Sequence, residues 1–87
     1  MKTFDQLWVE ISEKINEADP NSGTVRLLNS GVHTIGKKIL EEAGEVWLAA
    51  EYQNNSELAL EISQLLYHIQ VIAKARGIEI EDIYKVL

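Results

Sequence analysis

The stretch from Lys37 to His68, KKILEEAGEVWLAAEYQNNSELALEISQLLYH, constrains this chain more than any other part of it. It contains two helical patterns joined by a short Asn/Ser connection, with acidic residues on the faces that could meet. Residues three or four apart share one face of a helix. With each residue turning the helix by about 100°, Glu42 and Glu45 lie about 60° apart, and Lys38 falls between them. In the second pattern Glu57, Glu61, Gln64 and His68 fall within about 60° of one another, well separated from the most apolar positions. If the helices pack antiparallel, two rows of oxygen ligands face each other, which is a cation site in outline. The rest of the chain reads as scaffold.

That scaffold is helical throughout. From Thr3 to about Ala18 the apolar positions Phe4, Leu7, Trp8, Ile11 and Ile15 recur at steps of three and four, and Thr3 with Gln6 forms a reasonable cap. Asp19, Pro20, Asn21, Ser22 and Gly23 then make a loop, because Pro20 lacks a backbone donor and Gly23 permits unusual dihedrals. Thr24 to Asn29 is short enough to be a single turn burying Val25, Leu27 and Leu28. A second helix begins near Ser30 or Gly31 and runs through Tyr52, with Ile35, Ile39, Ala43, Val46 and Ala50 as its expected buried line. Gly36 and Gly44 each cost up to about 1 kcal/mol relative to alanine inside that helix. For Gly44 the structural explanation is close approach by another helix, and the functional one is room beside the carboxylates. Asn54 with Glu57 suits a capping box for a third helix, which runs to about Arg76 before Gly77 ends it. Leu58, Ile62, Leu65, Leu66, Ile69, Ile72 and Ala73 cover more than one narrow stripe, which predicts burial against two neighbours. Beyond Gly77, Ile80, Ile83, Tyr84 and Leu87 fit a short closing helix better than a strand. The expected fold is all-α, a single domain over residues 1–87 built from three to four main helices.

Size limits what such a bundle can do alone. A 9.8 kDa chain should expose about 5,200 Å² when folded against about 14,200 Å² extended, burying only about 63%. With 46% of its residues hydrophobic, the chain invites a second subunit to complete its core. The absence of cysteine excludes disulfides, thiolate catalysis and zinc-thiolate sites, leaving carboxylate, imidazole and amine chemistry. Eight basic residues against fourteen acidic give a net charge of −6, which opposes nonspecific binding of nucleic acid or anionic lipid. An acidic protein can still take an anionic substrate where bound cations invert the local charge. The start, MKTFDQLWVEISEK, has no secretion-signal core and no run reaches membrane-span length, so a cytoplasmic protein is expected.

Glu41, Glu42 and Glu45 place a dense carboxylate patch on one helix, and Glu61 with Gln64 extends it from the other. Oxygen ligands of this kind suit a hard divalent cation such as Mg²⁺ better than a soft metal. The plainer explanation is a solvated acidic face tied by Lys37–Glu41 and Lys38–Glu42 pairs at i,i+4. His33, near a helix start, reads as exposed or locally hydrogen bonded. His68 lies one turn beyond Gln64 on the ligand-bearing face, open to a structural hydrogen bond or a substrate contact. Trp47 and Tyr67 are packing groups by default, with base stacking as the alternative. Lys74 and Arg76 near the third helix end favour the helix dipole, and a phosphate clamp in trans is their other use. There is no Walker loop, dinucleotide fingerprint or nucleophile elbow.

The run GVHTIGKKILEEAGEVWLAAE followed by EISQLLYHIQVIAKARG resembles the phosphoribosyl-ATP pyrophosphohydrolases, within the all-α nucleoside triphosphate pyrophosphohydrolase group that includes MazG-like proteins and dimeric dUTPases. The likeness covers nearly the whole chain and extends through Lys37, Lys38, Tyr67, His68 and Gly77. The group's pattern, E-x-x-E, a spacer, then E-x-x-D, falls on Glu42, Glu45, Glu61 and Gln64. Gln64 departs from it: a neutral amide offers a carbonyl oxygen but removes one negative charge, which weakens or rearranges metal binding.

This resemblance implies a homodimer whose subunits complete one another, and Mg²⁺-dependent hydrolysis of phosphoribosyl-ATP to phosphoribosyl-AMP and pyrophosphate, the second step of histidine biosynthesis. No fused cyclohydrolase fits in 87 residues, so a separate cyclohydrolase would take the product. Glu42, Glu45, Glu61 and Gln64 are the implied metal ligands. Glu41 and Glu42 are the catalytic carboxylates, Glu41 to position or deprotonate water, and Lys37, Lys38 and His68 are substrate contacts. Two other functions fit the same residues, a housekeeping nucleoside triphosphate pyrophosphohydrolase and a noncatalytic helical interaction domain.

Overall fold

The computed structural model describes all 87 residues, Met1–Leu87, as five helices and no strand: α1 Phe4–Glu17, α2 Gly23–Asn29, α3 Val32–Tyr52, α4 Asn55–Ala75 and α5 Ile80–Val86. The two 21-residue helices α3 and α4 are rods of about 32 Å each, and they make the most extensive contact in the molecule. None of the helices is long and apolar enough to cross a membrane.

Local chemistry accounts for the helix ends. At α1 the Thr3 side chain accepts from the Gln6 amide at 3.1 Å, and the Gln6 side chain accepts from the Thr3 amide at 2.8 Å, a complete capping box that satisfies two amides with no helical partner. The helix stops at Ala18, which takes a left-handed conformation at φ 53° and donates back to Lys14 and Ile15, ahead of the Pro20 expected to break it. At α4 only half of the expected box forms. Asn54 accepts from the Glu57 amide at 2.9 Å, but the Glu57 carboxylate accepts from the Asn54 side-chain amide. Glu57 is therefore committed to the cap and does not join the acidic face. Gly77, at φ 73°, closes α4 in a conformation that a Cβ would penalise.

Thr24–Asn29, read from sequence as a single turn, belongs instead to a seven-residue helix capped by Ser22. It docks on α4 and α1, buries Thr24 and Val25, and half-buries Leu27 and Leu28. Two apolar clusters hold the bundle. Ile11, Ile35 and Val71 form the centre, with Leu27, Ile39, Tyr67 and Ile72 around it. Trp8, Ala73 and Ile80 fasten α5 beside α1, with Phe4 and Ile83 packed on them. Lys74, expected to serve the helix dipole, turns instead over the Trp8 ring at 4.1 Å and bonds to Ser12.

The buried line of α3 also differs from expectation. Ala49 is fully buried, while Ala43 and Ala50 are exposed. The inward line runs through Ile35, Ile39, Glu42, Val46 and Ala49 in alternating steps of four and three, so a carboxylate occupies one of its positions. Ala43 and Ala50 lie instead on an outward stripe with Val32, Leu40 and Trp47, all exposed. On α4, Ile62 and Leu66 are exposed too, so this chain alone does not bury that helix against two neighbours along its length. A Cβ at Gly44 would meet nothing within 4 Å, which excludes close approach there by another helix of the same chain.

Left-handed backbone costs an L-residue roughly 1–2 kcal/mol, partly offset by the greater unfolded-state entropy of glycine. Ala18→Gly should therefore raise stability by roughly 0.5–1 kcal/mol, read as a higher urea midpoint at unchanged slope.

Candidate metal centre

Glu42 and Glu45 come from the middle of α3 and Glu61 from the first half of α4, where the antiparallel pair brings the two helices side by side. Each contributes a carboxylate oxygen within 4.8 Å of the other two. Glu42, Glu45 and Glu61 converge on one point, while Glu41 and Glu57 stay exposed. A cavity of about 270 Å³ opens at this point, lined by Glu45, Leu48, Gln53 and Glu61. Gln53, the residue that ends α3, was not singled out from sequence. Its place follows from the hairpin's closure, which no residue pattern announces.

Two of the three carboxylates are half-buried, Glu42 and Glu61, whereas Glu45 faces the opening. One oxygen on each of Glu42 and Glu61 is shielded from solvent and has no hydrogen-bond partner, although the Glu61 side chain as a whole is partly accessible. Orphaned acceptors of this kind are costly unless something positive meets them. The electrostatics agree. Burial pushes the Glu42 carboxyl above the ordinary carboxylate range, the Glu45 charge and a hydrogen bond to it push further, and His68 and Lys38 partly oppose this. Glu61 is raised by hydrogen bonding with the Glu45 carboxyl first, then by burial and by the charges of Glu45 and Glu42. Three oxygen donors, close together and short of positive charge, fit a hard divalent cation.

Of the other residues singled out from sequence, His68 and Lys38 are near enough to Glu42 to act on its charge. Glu41 is exposed and pairs with Lys38 at 3.5 Å in an i,i+3 arrangement, which replaces the expected Lys37–Glu41 and Lys38–Glu42 pairs. Glu42 turns inward and leaves Lys38 to its neighbour. Lys37 and His33 are exposed. Gln64 is exposed, and its backbone carbonyl lies 2.7 Å from Nδ1 of His68. A carbonyl only accepts, so Nδ1 carries the proton and Nε2 is left free. His68 also meets the Tyr67 ring edge-on, at 5.2 Å between centroids and 87° between planes. The Tyr67 hydroxyl is 2.7 Å from Oγ1 of Thr24, a buried residue that the sequence alone did not single out. Trp47 stands out from α3 with its indole donating to Glu51 at 2.8 Å, outside this group.

An antiparallel helical hairpin with three converging carboxylates places the chain in an all-α class with one acidic cluster able to hold a divalent cation. A family model described as phosphoribosyl-ATP pyrophosphohydrolase matches residues 4–87. The chain is also 51% identical over 85 residues to a phosphoribosyl-ATP pyrophosphatase of Salinibacter ruber, covering 98% of each protein. This chain belongs to the phosphoribosyl-ATP pyrophosphohydrolase family.

Raised carboxyl pKa values mean that the folded protein binds more protons than the unfolded chain between about pH 4.5 and the raised values, so stability falls as pH rises through that window. Metal-free protein should therefore melt higher as the pH is lowered from 7 towards 5. Added Mg²⁺ should raise Tm at pH 7 and lose its effect as these carboxyls protonate. Glu42→Gln should flatten both responses, and a Tm independent of Mg²⁺ at pH 7 would count against the centre. Glu10, lowered chiefly by its hydrogen bond to Lys2, contributes stability that is lost only below about pH 4.5, outside this window.

Proposed function

We propose that this chain hydrolyses phosphoribosyl-ATP to phosphoribosyl-AMP and pyrophosphate in histidine biosynthesis, with Mg²⁺ held by Glu42, Glu45 and Glu61, and with Gln64 direct or through water. One observation carries the proposal: three convergent carboxylates, two with orphaned oxygens, in a chain matched along its length to this family. When bound, the cation neutralises phosphate charge and lowers the pKa of a coordinated water. The protein's part is to fix the donors on two rigid helices and to keep the triphosphate end of the substrate at the Glu45 and Glu61 opening. Lys37 and Lys38, both exposed on α3, supply mobile positive charge for the leaving pyrophosphate. Glu42, half-buried beside Glu45 and Glu61, is the second candidate proton acceptor. Glu41 orients water from the outer rim once Lys38 releases it. The product passes to a separate cyclohydrolase in the cytoplasm.

The working molecule is a homodimer in this proposal. The chain exposes 6082 Å², about 900 Å² more than its mass predicts. Its radius of gyration, 13.6 Å, exceeds the value of about 12 Å expected for this length. Val32, Leu40, Ala43, Trp47 and Ala50 recur along one stripe of α3 at successive intervals of eight, three, four and three residues, which keep them on one side of the helix as a helix–helix seam requires. Leu40 is 76% exposed and Trp47 68%, and small residues between them allow close approach. A second copy offering the same stripe meets it with twofold symmetry.

Two measurements test this. Glu45→Ala should lower Mg²⁺-dependent pyrophosphate release from phosphoribosyl-ATP about 100-fold or more, since several kcal/mol of charge stabilisation is removed, with an unchanged helical circular dichroism spectrum. Equal turnover of ordinary nucleoside triphosphates by the native protein would reject the assigned substrate. Sedimentation equilibrium should give twice 9.8 kDa for the native chain, and Leu40→Glu should reduce the dimer fraction.

A further inference from the structure

We propose that the hydrogen bond between Thr24 and Tyr67 is a positioning device for the His68 imidazole, acting from α2 on the rim of the carboxylate centre. The proposal rests on the assignment of His68 to the substrate side of that centre. His68 stands seven residues after Glu61 on α4, which places the two about 20° apart around the helix. Its positive form opposes the rise in the Glu42 pKa, so the imidazole is within electrostatic reach of the site. With Nδ1 donating to the Gln64 carbonyl at 2.7 Å, Nε2 is the atom offered outward. One backbone contact leaves the ring free to tilt, and the second restraint on it is the Tyr67 edge.

What fixes Tyr67 decides what fixes His68. One side of Tyr67 packs on the cluster of Ile11, Ile35 and Val71. The side chain also borders two cavities, one of about 530 Å³ beside Lys14, Ser22 and Thr24, the other of about 300 Å³ beside Phe4, Leu7 and Leu66. A ring bordered by open volume is not fixed by packing alone. Its hydroxyl is held by Oγ1 of Thr24 at 2.7 Å, and Thr24 is itself buried in α2. The restraint therefore runs from Thr24 through Tyr67 to His68, across 43 residues of sequence. Tyr67 and Thr24 act as positioning residues and touch no reacting atom.

The test separates alignment from stability. Thr24→Val leaves the Tyr67 hydroxyl without its partner and should destabilise the protein, whereas Thr24→Val with Tyr67→Phe removes both hydroxyls and should recover much of the stability. Each of Thr24→Val, Tyr67→Phe and the double variant should lower kcat for phosphoribosyl-ATP about tenfold with little change in KM, since misplacing a group affects the transition state most. Thr24→Ser, which keeps the hydroxyl, should retain native kcat, and none of the substitutions should lower kcat further in a His68→Ala background. In the ¹⁵N spectrum of the imidazole, recorded without metal or substrate, the native His68 should show one tautomer with the proton on Nδ1, and the variants an averaged pair. A double variant that recovers kcat together with stability, or a His68 spectrum unchanged by Tyr67→Phe, would overturn the proposal. Failure of the native protein to hydrolyse phosphoribosyl-ATP would overturn the functional assignment instead, and the His68 spectrum would still decide whether the pair positions the ring.

Discussion

The packing of α3 against α4 governs the molecule, because it sets apolar burial and charge repulsion against each other at the same place. On α3 the inward line carries Ile35, Ile39, Val46 and the fully buried Ala49, with Glu42 among them. Burying aliphatic side chains such as Ile11, Ile35 and Val71 contributes roughly 1.5–3 kcal/mol each, and that holds the helices together. The same register brings Glu42 and Glu45 up to Glu61, and the Glu42 carboxyl is raised by burial first and the Glu61 carboxyl by its contact with the Glu45 carboxyl first. The helices cannot slide apart to relieve the charge without opening the apolar contacts. This arrangement holds three carboxylates within 4.8 Å of one another before any cation arrives, and so reduces the ordering cost of binding one.

A small chain without cysteine has few ways to secure a bundle, and here the acidic centre proposed to serve chemistry also bears on stability. Positive charge placed among Glu42, Glu45 and Glu61 would satisfy the orphaned oxygens and remove the repulsion, so binding free energy and folding free energy are linked at one site. Three carboxylates already exceed the charge of a divalent ion, and the neutral Gln64 proposed as fourth donor would limit the excess. The outward stripe of α3 is the other feature that bears on stability, since its apolar residues are exposed in the single chain. Site and stripe occupy different sides of one rigid helix, so covering the stripe leaves the Glu45 and Glu61 opening accessible.

Long amphipathic segments were legible because burial enforces their period. The three main helices, the Thr3 cap, the Gly77 stop and the short closing helix followed from the spacing of apolar residues and the chemistry of caps. Glu42, Glu45 and Glu61 followed from shared helix faces and from resemblance to a family motif. Apolar spacing alone drew the buried line of α3 through Ala43 and Ala50, whereas the line that packs inward accepts Glu42 and ends on Ala49. The i,i+4 spacing paired Lys38 with Glu42, but the inward turn of Glu42 leaves Lys38 to Glu41. Lys74 was read through the helix dipole, but the Trp8 face offered a closer and partly buried partner. Local spacing carries no information about which side of a helix another element will cover.

Helix α2 shows the limit most clearly. Seven residues are too few to form a stable helix in isolation, since nucleation is unfavourable and only a few hydrogen bonds follow it. Its order comes from the local Ser22 cap, from burial of Thr24 and Val25, and from the Thr24–Tyr67 hydrogen bond, the last of which exists only after α4 is in place. The carboxylate centre thus has two unlike halves. Glu42, Glu45 and Glu61 are carried by long helices whose positions are over-determined by packing, while the His68 rim is steadied by a short helix held through a single side-chain bond. Any motion that frees α2 reaches His68 before it reaches the carboxylates, so loss of alignment at the rim should precede loss of cation binding as the fold loosens.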